Sequence, residues 1–325
     1  MTDMSDAQKP RGWVLYDASC SWFAECLFLL APLVTIPLGL RLALAGEGQG
    51  IAKSLFRLTL ILQPAGALLA LASFVFPAGL RTGALAAGWL AVTACVGLCG
   101  LVGMLQRGIP LLERACLNLG MVYLPFGGFW LVASRLGMHP AGFNEPIVLL
   151  TAVHFHYAAF ASPLLAGMAG IALRAASGSR HKLFPAAAWS VMAAPAVLAA
   201  GWALGSPLLK LIAAFALAGG LLMVVGLTFL VIPHFRNPLG GALLVLSGLS
   251  VLAGMCLVCV YAGGEFIGMK LISIPQMTVS HGILNSLGFT LCGLLAWRIE
   301  QMGVSSRAEN KPTNASVPMK GVIES

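Results

Sequence analysis

Two stretches of this chain carry side chains that could do chemistry in surroundings that otherwise offer none. They are Leu149-Leu-Thr-Ala-Val-His-Phe-His-Tyr-Ala-Ala-Phe-Ala-Ser162 and Thr278-Val-Ser-His-Gly-Ile-Leu-Asn285. Neutral imidazole is a ligand for iron, copper or zinc, and two facing rings can serve as the axial ligands of a haem. The same ring can relay a proton along a membrane path. His154, His156 and His281 are therefore the expected metal or haem ligands, with Glu25 as a fourth candidate. Tyr157, Asn285, Tyr261, Thr151 and Thr278 are the expected lining of a substrate or proton pathway. Ionisable groups at membrane depth cost at least about 2.5 kcal/mol on insertion scales, so they point to function by default.

Helix geometry limits what these residues do together. Positions two apart point about 200° away from each other, so His154 and His156 cannot chelate one ion on a regular helix. One of them is expected to face the bundle interior while the other braces the helix; the spacing does not say which. His281 and Asn285, four apart, share a face. Thr151 and Thr278 each precede a histidine by three residues, and each is expected to orient that ring through a hydrogen bond. Asp17, Asn144, Glu145 and Glu265 stand near the same side, whereas Gln63, just before Pro64, is expected to satisfy a carbonyl freed by a proline.

The elements that must position these groups are membrane helices. With 59% hydrophobic and 9% charged residues and a mean hydropathy of +0.91, the 325-residue chain lies far outside soluble averages. The fold class is all-α, a polytopic helical bundle, because open sheets cannot satisfy their backbone in lipid and the apolar runs lack a barrel's alternation. About nine spans of roughly 20 residues fit, near 22–45, 58–79, 83–105, 115–134, 147–173, 184–204, 211–232, 239–262 and 271–297. A polar segment over 1–21 precedes the bundle of 22–302, and 303–325 reads as a polar tail without fixed structure. Lys9, Arg11, Arg81, Arg135, Lys210 and Lys270 fall on the amino-terminal side, and the rest of the nineteen basic residues fall opposite. The positive-inside rule then puts the amino terminus outside and the carboxyl terminus in the cytoplasm. At about 1.5 Å per residue, His154 and His156 lie roughly 10 to 14 Å below the outer end of helix five and His281 roughly 15 Å below that of helix nine.

Other signals carry less. The net charge of +8 is scattered, with no basic run, so nucleic acid is not an expected partner. Cys256-Leu-Val-Cys259 has a metal-pair spacing but no second pair, and Cys95 and Cys99 read as small packing residues. Asn314-Ala-Ser316 falls in the expected cytoplasmic tail, away from glycosylation. The glycine pairs 127–128, 219–220, 240–241 and 263–264 mark places where helices approach closely.

His154-Phe-His-Tyr157 in its apolar frame, together with Ser280-His-Gly-Ile-Leu-Asn-Ser-Leu-Gly-Phe289, is similar to the YndJ-like family of bacterial integral membrane proteins. Trp22-Phe-Ala-Glu25 followed by Ala31-Pro-Leu-Val-Thr-Ile-Pro-Leu-Gly-Leu40 carries the same resemblance. It implies a multi-pass protein of the bacterial cell (inner) membrane, of a kind sometimes labelled a transporter, and it imports no mechanism. Longer relatives continue past the membrane region, so the resemblance implies that the activity of any such extension is not expected in this chain.

Three functions fit these features. The first is a membrane enzyme whose histidines hold a metal ion or haem and act on a lipophilic or membrane-delivered substrate. The second is a secondary transporter or proton-coupled permease for a small molecule, using the same polar groups. The third is a structural membrane subunit. Imidazoles clustered at one depth favour the first of these at the level of sequence, with the lipid bilayer as the one certain partner.

Overall fold

The computed structural model describes residues 11–43, 51–105 and 111–309, with side chains described over 21–43, 53–105 and 111–302. Asp17, most of the polar amino-terminal segment, and the tail from 303 therefore lie outside the described side chains. Among the described residues there are no strands and nine helices long and apolar enough to cross a membrane. They are α1 (Ser21–Ala43), α2 (Lys53–Ala72), α3 (Leu80–Leu105), α4 (Leu112–Leu136), α5 (Ile147–Ser177), α6 (Phe184–Ala203), α7 (Pro207–His234), α8 (Pro238–Phe266) and α9 (Ile274–Met302). Helical backbone reaches back to Arg11 before α1 and on to Glu309 after α9.

Two boundaries differ from the hydropathy reading for local reasons. The apolar run of α2 continues to Gly79, but its helix ends at Ala72, because Pro77 and Gly79 break the backbone that follows. Helix α9 starts at Ile274 instead of 271. Ser273 caps it in a reciprocal box with Gln276, and Pro275 sits where the missing N–H costs nothing.

Consecutive helices pack as antiparallel neighbours, α3 on α4 and α6 on α7 most extensively. The centre of the bundle is α5, the most buried span, which touches α1, α4, α6, α7 and α9. Small residues permit this closeness: a Cβ on Gly120 would lie 2.8 Å from the Phe160 carbonyl oxygen, and one on Gly167 would lie 2.6 Å from that of Glu113. Of the paired glycines, Gly127, Gly128 and Gly220 back onto neighbouring helices, whereas Gly219 and Gly263 face open space.

Three of the nine helices are not regular. π-helical turns occupy Ala31–Thr35 in α1, Phe155–Ala161 in α5 and Leu284–Leu291 in α9. These helices also hold Glu25 and the three membrane histidines, and the turn in α5 packs against each of the other two. Wide turns leave carbonyls without helical partners, and side chains from elsewhere reach them. Ser247 Oγ donates to the Phe289 carbonyl (2.7 Å), Tyr157 Oη to that of Leu27 (2.9 Å) and Gln63 Nε2 to that of Pro32 (2.6 Å). The expectation for Gln63 is met on a different helix from its own, since the carbonyl it serves belongs to α1. Ile36 N–H bonds Ala31 instead, and residue 37 is another proline with no N–H to give.

Candidate functional site

Helices α5 and α9 run in the same direction, and each carries a histidine seven residues after its first residue: His154 after Ile147 and His281 after Ile274. At about 1.5 Å per residue both rings lie about 10 Å down their helices, just above the π turns. The two helices come together along the π turns and beyond them, while their amino-terminal parts stand further apart. Across that wider part the rings of His154 and His281 face each other, with centroids 6.4 Å apart and planes 22° from parallel. The amino-terminal half of α1 packs against both helices, with Leu27 lying where a Cβ on Gly282 would be.

Each ring is held at Nδ1. That of His154 lies 2.7 Å from the Leu150 carbonyl, to which it can only donate. Nδ1 of His281 has an acceptor in the Gly254 carbonyl of α8 at 3.2 Å and a donor in Asn285 Nδ2 at 2.9 Å, so this ring can hold either neutral tautomer. Asn285 is fixed in turn by a bond to the His281 carbonyl (2.8 Å), and it fits only because Gly254 has no side chain: a Cβ there would sit 2.5 Å from Nδ2. Among the described residues, Nε2 of neither His154 nor His281 has a hydrogen-bond partner. His154 is exposed and His281 half-buried, so both Nε2 atoms border accessible space.

His156 is the brace. It is fully buried, its Nε2 accepts from the Trp89 indole at 3.0 Å, and its Nδ1 lies 2.8 Å from the Ala152 carbonyl. An indole N–H can only donate, so Nε2 is a lone pair and Nδ1 carries the proton. Both nitrogens are thereby used. Phe28 packs on the ring edge-on at 5.0 Å, and Gly127 leaves it room. The two helix-five histidines thus divide as their spacing requires, with His154 toward α9 and His156 toward α3.

The threonines do not orient the histidines. Thr151 and Thr278 hydroxyls bond back to the carbonyls of Ile147 and Ile274, one turn earlier, because that acceptor is nearer than a ring three residues on. Tyr157 is buried and ties α5 to α1 through Leu27. Tyr261 is half-buried on α8, seven residues beyond Gly254 and so on nearly the same face, two turns nearer the carboxyl-terminal end of the helix.

Glu25 does not join the histidine pair. Leu27, about 200° round the helix from it, lies against Gly282 of α9, and the charges within Coulombic range of Glu25 are Arg135 and Glu145. Arg135, in the last turn of α4, lies over the Phe74 ring at 4.8 Å and donates to the Phe76 carbonyl at 3.3 Å, while its Nε is buried without a partner. Glu145 instead accepts from Leu149 N–H at the start of α5. Among the described residues no three His, Cys, Asp or Glu side chains converge as a metal-binding group. Trp89, Gly254 and Ser247 support the site, and none was singled out from sequence. A lone tryptophan at membrane depth, whose N–H needs an acceptor, was the available signal for the first.

The profile of the YndJ-like protein family matches residues 26–289, which takes in α1 through the π turn of α9. The Bacillus subtilis (strain 168) protein described as uncharacterized membrane protein YndJ is 30% identical over 213 residues, 65% of this chain and 38% of that protein. The chain thus spans well under half the length of this relative. No solved structure matches.

Proposed function

The chain belongs to the YndJ-like family, and we propose that it is a permease for a small solute whose binding site is the gap between His154 and His281. The observation that carries this reading is the coincidence of two neighbouring imidazoles with π turns in three helices at about the same depth, the turn of α5 packing against the other two. A π turn interrupts the regular ladder and is frequent at functional sites, and interrupted helices around a site near the midplane recur in many secondary transporters. Polar contacts at that depth come from α8 and α9 as well as α5, so relative movement of the helices would make and break the site. A membrane enzyme built on a three-ligand metal centre has less support, because His156 is committed to Trp89 and Glu25 faces Arg135.

Reconstitution tests this directly. Purified protein in proteoliposomes, offered a panel of labelled amino acids, organic anions and mono- and divalent cations under an imposed pH gradient or membrane potential, is expected to accumulate at least one of them. Uptake should vanish in His281→Ala and persist in Ser280→Ala, whose exposed hydroxyl only bonds its own helix. A folded protein that moves nothing on the panel under either driving force overturns the permease reading.

A further inference from the structure

We propose that the His154–His281 pair binds one soft monovalent d10 cation of the Cu(I) class in two-coordinate geometry. The first support is the spacing. Metal to imidazole bonds of about 2 Å place the centroids of two rings about 6 to 6.5 Å apart when both Nε2 atoms point at one ion between them, and these rings stand at 6.4 Å with planes 22° from parallel, a spacing that two-coordinate binding requires. The second is tautomer control. Ligating histidines characteristically donate their other N–H to a carbonyl or carboxylate, and here the Leu150 carbonyl receives Nδ1–H of His154, which leaves its Nε2 a lone pair, while the Gly254 carbonyl is placed to receive that of His281 in one of its two neutral tautomers. In that tautomer Nε2 is a lone pair on both rings, with no competing partner among the described residues.

Charge and ligand number select the ion. Divalent zinc, iron and their neighbours take four or more ligands, and no third His, Cys, Asp or Glu joins this pair among the described residues. Two neutral imidazoles are sufficient for Cu(I), which accepts linear coordination. The pair brings no negative charge to offset an ion at membrane depth, so a single positive charge is held at far lower desolvation cost than a double one. This inference names the cargo of the permease proposed above and rests on that reading for its role, although binding is measured apart from transport.

The experiment loads the detergent-purified full chain anaerobically with Cu(I) in the presence of a competing chelator, and reads metal per chain and the copper X-ray absorption spectrum. Cysteines also bind Cu(I) through sulfur, Cys256 being exposed on α8, so the ligand type must be read together with the stoichiometry. The expected result is one equivalent of copper with two nitrogen neighbours and the outer-shell scattering of imidazole, lost in His154→Gln and in His281→Ala. A sulfur-only shell in the unmodified protein overturns the proposal without recourse to any variant, as does unchanged loading in the two variants together. If imidazole-bound copper is found but vesicles accumulate no Cu(I), the site stands and the permease reading falls. If vesicles accumulate another solute and no copper is bound through imidazole, the permease reading stands and the cation proposal falls.

Discussion

At the scale of single residues, the two histidines of the His-x-His segment have separable roles. His156 is buried with both nitrogens bonded, so His156→Ala removes a partner from Trp89 and opens a cavity beside Phe28. An unsatisfied buried donor alone costs about 1–3 kcal/mol, and the expected outcome is a clear fall in the thermal midpoint measured in detergent. His154→Ala, at an exposed ring, should change that midpoint by less than about 0.5 kcal/mol equivalent while removing the site's function. Equal destabilisation by both would contradict this division. Thr151→Val and Thr278→Val are expected to be nearly silent in both stability and binding, since each hydroxyl serves only its own helix.

At the scale of the elements, the irregular turns depend on side chains that arrive from neighbours. Gln63→Leu strands the Pro32 carbonyl, and a loss of about 1–2 kcal/mol is expected; a neutral result in chemical denaturation would mean that the turn in α1 finds another donor. Gly254→Ala is the sharper probe of the site. Its Cβ would stand 2.5 Å from Asn285 Nδ2, so Asn285 and the ring it touches must shift. We expect retained helicity by circular dichroism together with loss of ligand binding or uptake. The Thr-x-x-His repeat shared by α5 and α9 was visible in the sequence, but its meaning was not: the repeat places a histidine at equal depth on two parallel helices, and the threonine bonds the backbone. Nothing local announces the π turn over Leu284–Leu291 in α9, since the turn itself contains no proline; its carbonyl partner Ser247 is 42 residues away.

At the scale of the whole molecule, charges are few and their placement sets the frame. At one end Arg174 of α5 donates two hydrogen bonds to Oε1 of Glu113 on α4, at 2.9 and 3.1 Å, in a carboxylate almost wholly buried. At the other end Lys210 pairs with Glu265 beneath Trp202, linking α6, α7 and α8. Arg174→Ala leaves a buried carboxylate uncompensated and is expected to cost about 3 kcal/mol, toward the low end because the arginine is 32% exposed. Adding Glu113→Gln to it should recover most of that loss in thermal unfolding, whereas strict additivity of the two single variants would show that the pair is not coupled. The positive-inside rule predicts that the loop holding Ala141 lies outside the cell; Ala141→Cys is then expected to be labelled by an impermeant thiol reagent in intact cells, and protection from the reagent would reverse the orientation.

The sequence by itself determined that this is a helical membrane bundle of about nine spans, because the cost of exposing backbone in lipid leaves an apolar chain of this composition no other form; nine are found among the described residues. It also determined that His154 and His156 point apart, since helical spacing admits nothing else. Only the tertiary structure decided which of them faces His281, because that depends on Trp89, 67 residues from His156, supplying the donor that claims one ring. Glu25 shows the same limit from the other side. Its depth was readable from its neighbours, but its partners lie on α4 and before α5, and the rotation of α1 about its own axis, fixed by Leu27 against Gly282, turned it away from the histidines.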